Sequence, residues 1–134
     1  MHRQPVPDLG RELPLPVPIY IGGDNDAALR RAARLGDGWI GNRVYSEQRL
    51  ANVLDRLTGF LAECGRTLDD LAVIAPIRAM PSADLYHRWA DRGVTGTMAA
   101  PWLLATPGER DRLTGLDFKL ATMERFAGEV IAKM

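Results

Sequence analysis

Two glycines, Gly22 and Gly23, stand where the apolar run Ile19-Tyr20-Ile21 gives way to the polar triplet Asp24-Asn25-Asp26. A strand ending there, followed by a helix, would leave backbone N–H groups free in the first helical turn. Glycine would also let a ligand approach that backbone closely. This is the chemistry of holding an anion, a phosphate group above all. An ordinary βα turn uses glycine just as readily, and spacing alone favours that plainer explanation. Further on, Gly41-Asn42-Arg43 follows a second short apolar run, Trp39-Ile40. Asn42 could donate a hydrogen bond there, and Arg43 could pair with a phosphate or an acidic cofactor tail. A core tryptophan followed by a solvated loop accounts for the same residues equally well.

Other reactive side chains form no constellation. His2 lies in a proline-rich arm, and His87 sits two residues before Trp89 on an expected helix, where a surface or packing role is the simpler reading. Two histidines and one cysteine lack the ligand spacing of a zinc site, so no metal is expected. There is neither a G-x-S-x-G elbow nor a Walker lysine motif. Tyr86, Trp89 and Trp102 could line a cleft, although large aromatics usually serve the core. No catalytic residue can be assigned.

The elements that must position the glycines follow from apolar periodicity. Ile19-Tyr20-Ile21 reads as a buried strand, and the Asp24-Asn25-Asp26 stretch supplies N-cap chemistry for a helix. That helix carries Ala28, Leu29, Ala32 and Ala33 on one face and ends at Gly36. Trp39-Ile40 forms a second strand. Ser46 caps a long helix with Leu50, Val53, Leu54, Leu57, Leu61 and Cys64 on one stripe, which puts Cys64 in the core. Leu71 to Ala75 is a continuous apolar strand, and Ser82 opens a third helix that stops at Gly93. Val94 to Met98 reads as a fourth strand. Thr106-Pro107-Gly108-Glu109 has the form of a capping box, and the closing helix aligns Leu120, Met123, Ala127, Val130, Ile131 and Met134. Four strand-helix alternations predict an α/β fold with a parallel sheet. Prolines at 5, 7, 14, 16 and 18 make residues 1–17 an extended arm, with the folded domain over 18–134.

Composition narrows the partners. Seventeen basic and seventeen acidic residues cancel, which leaves no electrostatic footprint for nucleic acid or an anionic membrane. No apolar run reaches the length of a membrane span, and charges interrupt the N-terminal arm where a signal peptide would be apolar. One cysteine allows no internal disulfide, so a cytoplasmic protein is expected.

The run from Pro18 to Trp39 carries more than its spacing. A strand ending in Gly-Gly, an Ala-Leu-Arg-Arg-Ala-Ala helix and then Gly-Asp-Gly-Trp resembles the C-terminal half of luciferase-like monooxygenases. That class includes FMN-dependent monooxygenases and F420-dependent reductases and dehydrogenases. Ala62-Glu63-Cys64-Gly65-Arg66, Arg92-Gly93-Val94 and the closing Arg125 to Ile131 segment are similar to later parts of the class. The resemblance implies four strand-helix units from the C-terminal half of a (β/α)8 TIM barrel and a flavin- or F420-dependent oxidoreductase function. It places the cofactor phosphate near Gly22 and Gly23, with Asn42 and Arg43 on the same barrel face. Asp24 stands where the class often has a small hydroxyl residue, and a carboxylate there would repel phosphate unless turned away.

A complete barrel of this kind needs eight strands and typically ~250 residues. Half a barrel leaves two open sheet edges, which proteins rarely leave uncovered. The expectation is therefore a C-terminal fragment that pairs with a second copy of itself or with an N-terminal half-barrel. The alternative is a non-catalytic fragment, partner subunit or α/β binding module.

Overall fold

In a computed structural model, residues 17–110 and 115–134 are described; the arm over 1–17, apart from Val17, lies outside them. Three short strands, β1 (Tyr20–Gly22), β2 (Gly38–Ile40) and β3 (Ala72–Ile74), form a parallel sheet in the order β1-β2-β3. Helix α1 (Asp26–Leu35) connects the first pair, and α2 (Glu47–Glu63) with a 3-10 turn at Leu68–Asp70 connects the second. Beyond β3 come α3 (Ala83–Asp91), a 3-10 turn at Pro101–Leu104, α4 (Pro107–Arg110) and α5 (Leu116–Glu129). The chain ends in a 3-10 turn at Ile131–Lys133.

Local chemistry sets most of these boundaries. Asn25 caps α1 by accepting from the Ala28 N–H at 2.8 Å, and Ser46 and Ser82 cap α2 and α3 in the same way. Gly93 takes φ +102° just beyond α3, a left-handed turn that glycine adopts without steric cost.

The register places Ile21, Trp39 and Val73 side by side across the three strands. Side chains alternate along a strand, so these three share one face. Helices cover that face. Trp39 and Val73 are fully buried with Leu29, Ala32 and Ala33 of α1 and with Leu50, Leu57 and Leu61 of α2. Each large side chain removed from water in this way contributes roughly 1.5–3 kcal/mol. The opposite face carries Tyr20, Ile40, Ala72 and Ile74; Tyr20 is 46% exposed and the other three are half-buried. A sheet with helices on one face and an open second face is what an arc cut from a (β/α)8 barrel presents.

Four expectations need correction. The first strand is not buried, since β1 is an edge of the sheet and Ile19 and Tyr20 are 55% and 46% exposed. The fourth strand, Val94 to Met98, contributes a single parallel bridge, Gly96 to Ile74. Its threonine side chains explain the difference. Thr95 Oγ1 accepts from the Val73 N–H at 2.8 Å, and Thr97 Oγ1 donates to the Ala75 carbonyl at 2.8 Å, so hydroxyls occupy backbone positions of β3. Cys64 is exposed rather than in the core, because α2 ends at Glu63 and the chain turns outward through Gly65 at φ +69°. The closing helix also packs on a different face. Of the expected stripe only Val130 is buried; Leu120, Met123, Ala127, Ile131 and Met134 are exposed, whereas Thr122 is buried and Phe126 packs against the core.

The rotation of α5 is fixed by Arg125, which grips Glu109 through two bonds of 2.7 and 3.0 Å and also donates to the Leu104 carbonyl at 2.9 Å. The half-buried guanidinium, together with the Thr106 N–H, holds the Glu109 carboxyl down at about 2. A carboxyl whose pKa is lower in the folded chain stabilises it fully above the unfolded value of 4.5 and loses that contribution as pH falls towards 2. Circular-dichroism melts should therefore show a fall in stability between pH 4.5 and 2 that is smaller in the Glu109→Gln variant. Identical profiles for the two chains would show that this pair does not anchor α5.

Candidate anion site at the strand ends

The C-terminal ends of the strands bring the two glycine segments together. Gly23 follows β1 at φ +101°, and a Cβ added there would lie 3.1 Å from the Ala28 Cβ. Gly22, by contrast, has space around it, with Ile40 no nearer than 3.9 Å to an added Cβ. The requirement for glycine is therefore local to Gly23. Trp39, on the neighbouring strand, donates its indole N–H to the Gly23 carbonyl at 2.7 Å and so fixes the turn from beneath. At the end of β2 the next loop folds tightly over Tyr45, whose ring would collide with any side chain at Gly41. Tyr45 is fully buried, 5.9 Å from Trp39 between ring centroids, and its hydroxyl donates to Asn42 Oδ1 at 3.1 Å.

These loops assemble a charged cluster above α1. The Asp24 carboxylate is turned towards two arginines, with Oδ2 at 3.1 Å from Arg43 Nε and 3.5 Å from Arg49 Nη2. Its side chain is only 13% exposed, and Oδ2 is enclosed without a hydrogen bond aligned on it, so the contacts are ionic. Burial, and then the negative charge of Asp24, push the Tyr45 hydroxyl above its usual range, which keeps it neutral and a hydrogen-bond donor. Arg56 closes the far side, reaching the Asp24 carbonyl at 3.0 Å and the Asp26 carboxylate at 3.1 Å.

Of the residues expected from sequence, Gly23, Asn42 and Arg43 converge on this cluster, and Gly22 lies at the strand end beside it. Asp24 is not turned away from the candidate donors: its carboxylate faces Arg43 and Arg49 and offsets part of their charge. Arg49 and Tyr45 were not anticipated. A signal for Arg49 existed, because a basic residue in the first turn of a helix opposes the helix dipole unless an outside anion compensates it. Beside Arg43, Val44 lines an open groove of about 490 Å³ with Ile77, Arg78, Met80, Ala100 and Leu103. That volume lies within the usual range for small-molecule pockets.

His87 is exposed and 3.2 Å from the Met134 carbonyl, and Trp89 is a core residue whose indole N–H donates to Glu47 at 3.0 Å. Among the described residues, no group of three or more His, Cys, Asp or Glu is placed to hold a metal ion. No helix among them is long and apolar enough to cross a membrane.

Trp39→Phe should keep most of the core packing and remove only the bond to Gly23. The expected loss is about 1–2 kcal/mol in urea denaturation, because the carbonyl is left without its donor. A variant as stable as the parent would show that the indole does not hold the turn.

The sequence matches known proteins. The model of the luciferase-like monooxygenase family covers residues 1–126. Uncharacterised proteins of Mycobacterium tuberculosis and Mycobacterium bovis are 32% identical over 122 residues, a match covering 89% of this chain. The chain spans 40% of the length of these relatives. The coenzyme F420 dependent tetrahydromethanopterin reductase of Methanopyrus kandleri is a looser structural likeness, with 16% identity and a TM-score of 0.40. That match covers 80% of this chain and 34% of the reductase. With a parallel sheet, helices on one face and a family match along most of its length, the chain belongs to the luciferase-like monooxygenase family.

Proposed function

We propose that this chain supplies the cofactor-phosphate side of a flavin- or F420-dependent oxidoreductase, of either the monooxygenase or the dehydrogenase type, acting on a small molecule in the cytoplasm. The observation that carries the proposal is the convergence of the Gly23 turn with the Asn42-Arg43 loop at the strand ends. A phosphate ester fits this donor set. Arg43 and Arg49 offer charge-assisted donors, Asn42 retains its amide N–H groups after accepting from Tyr45, and Gly23 keeps the backbone approachable. The apolar groove lined by Val44, the residue after Arg43, suits a flat ring system, whether isoalloxazine or deazaflavin. When bound, that ring supplies hydride transfer, while the residues of this chain bind its tail, orient it and exclude water.

The chain spans 40% of its relatives, and among the described residues no helix covers the sheet face of Tyr20, Ile40 and Ile74. Further strand-helix units, from a second copy or from an N-terminal half-barrel, would close the barrel and supply the groups around the reactive ring. The same open face favours the second reading, a partner subunit without activity of its own. Light scattering after size exclusion separates a self-paired assembly from a single chain that needs another polypeptide.

Arg43→Ala should weaken FMN or F420 binding about tenfold in a fluorescence titration. Riboflavin, which has no phosphate, should bind the parent and the variant alike. Equal loss of riboflavin and FMN affinity would place the effect on the ring rather than the phosphate and overturn the assignment.

A further inference from the structure

We infer that Asp24 makes this site selective for a singly charged phosphodiester over a doubly charged phosphomonoester, an inference that rests on the phosphate assignment above. Asp24 is held on both sides. Trp39 holds the carbonyl before it at 2.7 Å, Arg56 holds its own carbonyl at 3.0 Å, and the following residue, Asn25, is committed to capping Ala28 at 2.8 Å. The backbone is pinned on both sides, and the side chain is enclosed against Arg43 and Arg49. An incoming phosphate must therefore bind with the carboxylate in place.

Charge then decides which ester is accepted. Arg43 and Arg49 against Asp24 leave one net positive charge, and the outer pair of Arg56 with Asp26 is neutral. Tyr45 beneath the cluster stays uncharged. A phosphodiester monoanion neutralises the remaining charge. A phosphomonoester dianion, the form present well above its second pKa of about 6, leaves an excess negative charge beside an enclosed carboxylate. Among the two cofactor types of the proposal, FMN ends in a phosphomonoester, whereas F420 carries its phosphate as a diester. The cluster thus favours F420, or another ligand joined through a phosphodiester.

The test compares ligands with one ring and different phosphate charge. FMN, riboflavin 4′,5′-cyclic phosphate and riboflavin are titrated at pH 8 against the full chain and against Asp24→Asn and Asp24→Ser, with melts confirming that each variant folds. The parent should bind the cyclic diester more tightly than FMN. Both variants should shift the FMN-to-diester affinity ratio towards FMN about tenfold. A ratio unchanged within about twofold in both variants would overturn the inference while leaving the phosphate site intact. If neither ester bound the parent or the variants better than riboflavin, the phosphate assignment itself would fall, and this inference with it.

Discussion

The indole of Trp39 is the point at which packing and chemistry meet. Its ring fills the layer between the sheet and the helices with no exposure to solvent, and its N–H passes through that layer to the Gly23 carbonyl. A buried indole without a partner would be costly, and an unsupported Gly23 turn would be loose. One bond removes both problems. It also fixes the distance between the turn after β1 and the loop after β2, because Trp39 belongs to β2 and packs on Tyr45 of that loop. Everything at the strand ends, including the placement of Asp24 against Arg43, is built on this bridge.

The second constraint is the one-sidedness of the sheet. Helices α1 and α2 cover Ile21, Trp39 and Val73, and the core they form is dense. The other face is left to Tyr20, which lies over Gly38, and to Ile40, Ala72 and Ile74. A barrel tolerates such residues because the far wall supplies their neighbours. The covered face is packed within this chain by α1 and α2.

The helices were legible because their stripes and caps are local. Asn25, Ser46 and Ser82 accept from the N–H three residues on, as their types and positions imply. Where a stripe ran to the end of an element, the reading failed. Cys64 continues the period of α2 but lies past its last turn, and the stripe of Leu120 and Met123 loses to a polar anchor, Arg125 with Glu109. The fourth strand failed for a subtler reason. Threonine has high strand propensity, yet here Thr95 and Thr97 spend their hydroxyls on the backbone of β3 and prevent a regular ladder.

By itself the sequence determined the alternation of strands and helices, the turn at Gly22-Gly23, and the family, since these depend on spacing along a single chain. Tertiary structure alone decided what the charges at the turn do. Asp24 and Arg43 are nineteen positions apart and Arg49 lies a further six along. Only the parallel pairing of β1 with β2 brings them to one point. An ion pair is a matter of a few ångströms, and no periodicity encodes it. The Gly23 turn that first suggested an anion site lies at this point, beside an Asp24 carboxylate whose partners no spacing along the chain could name.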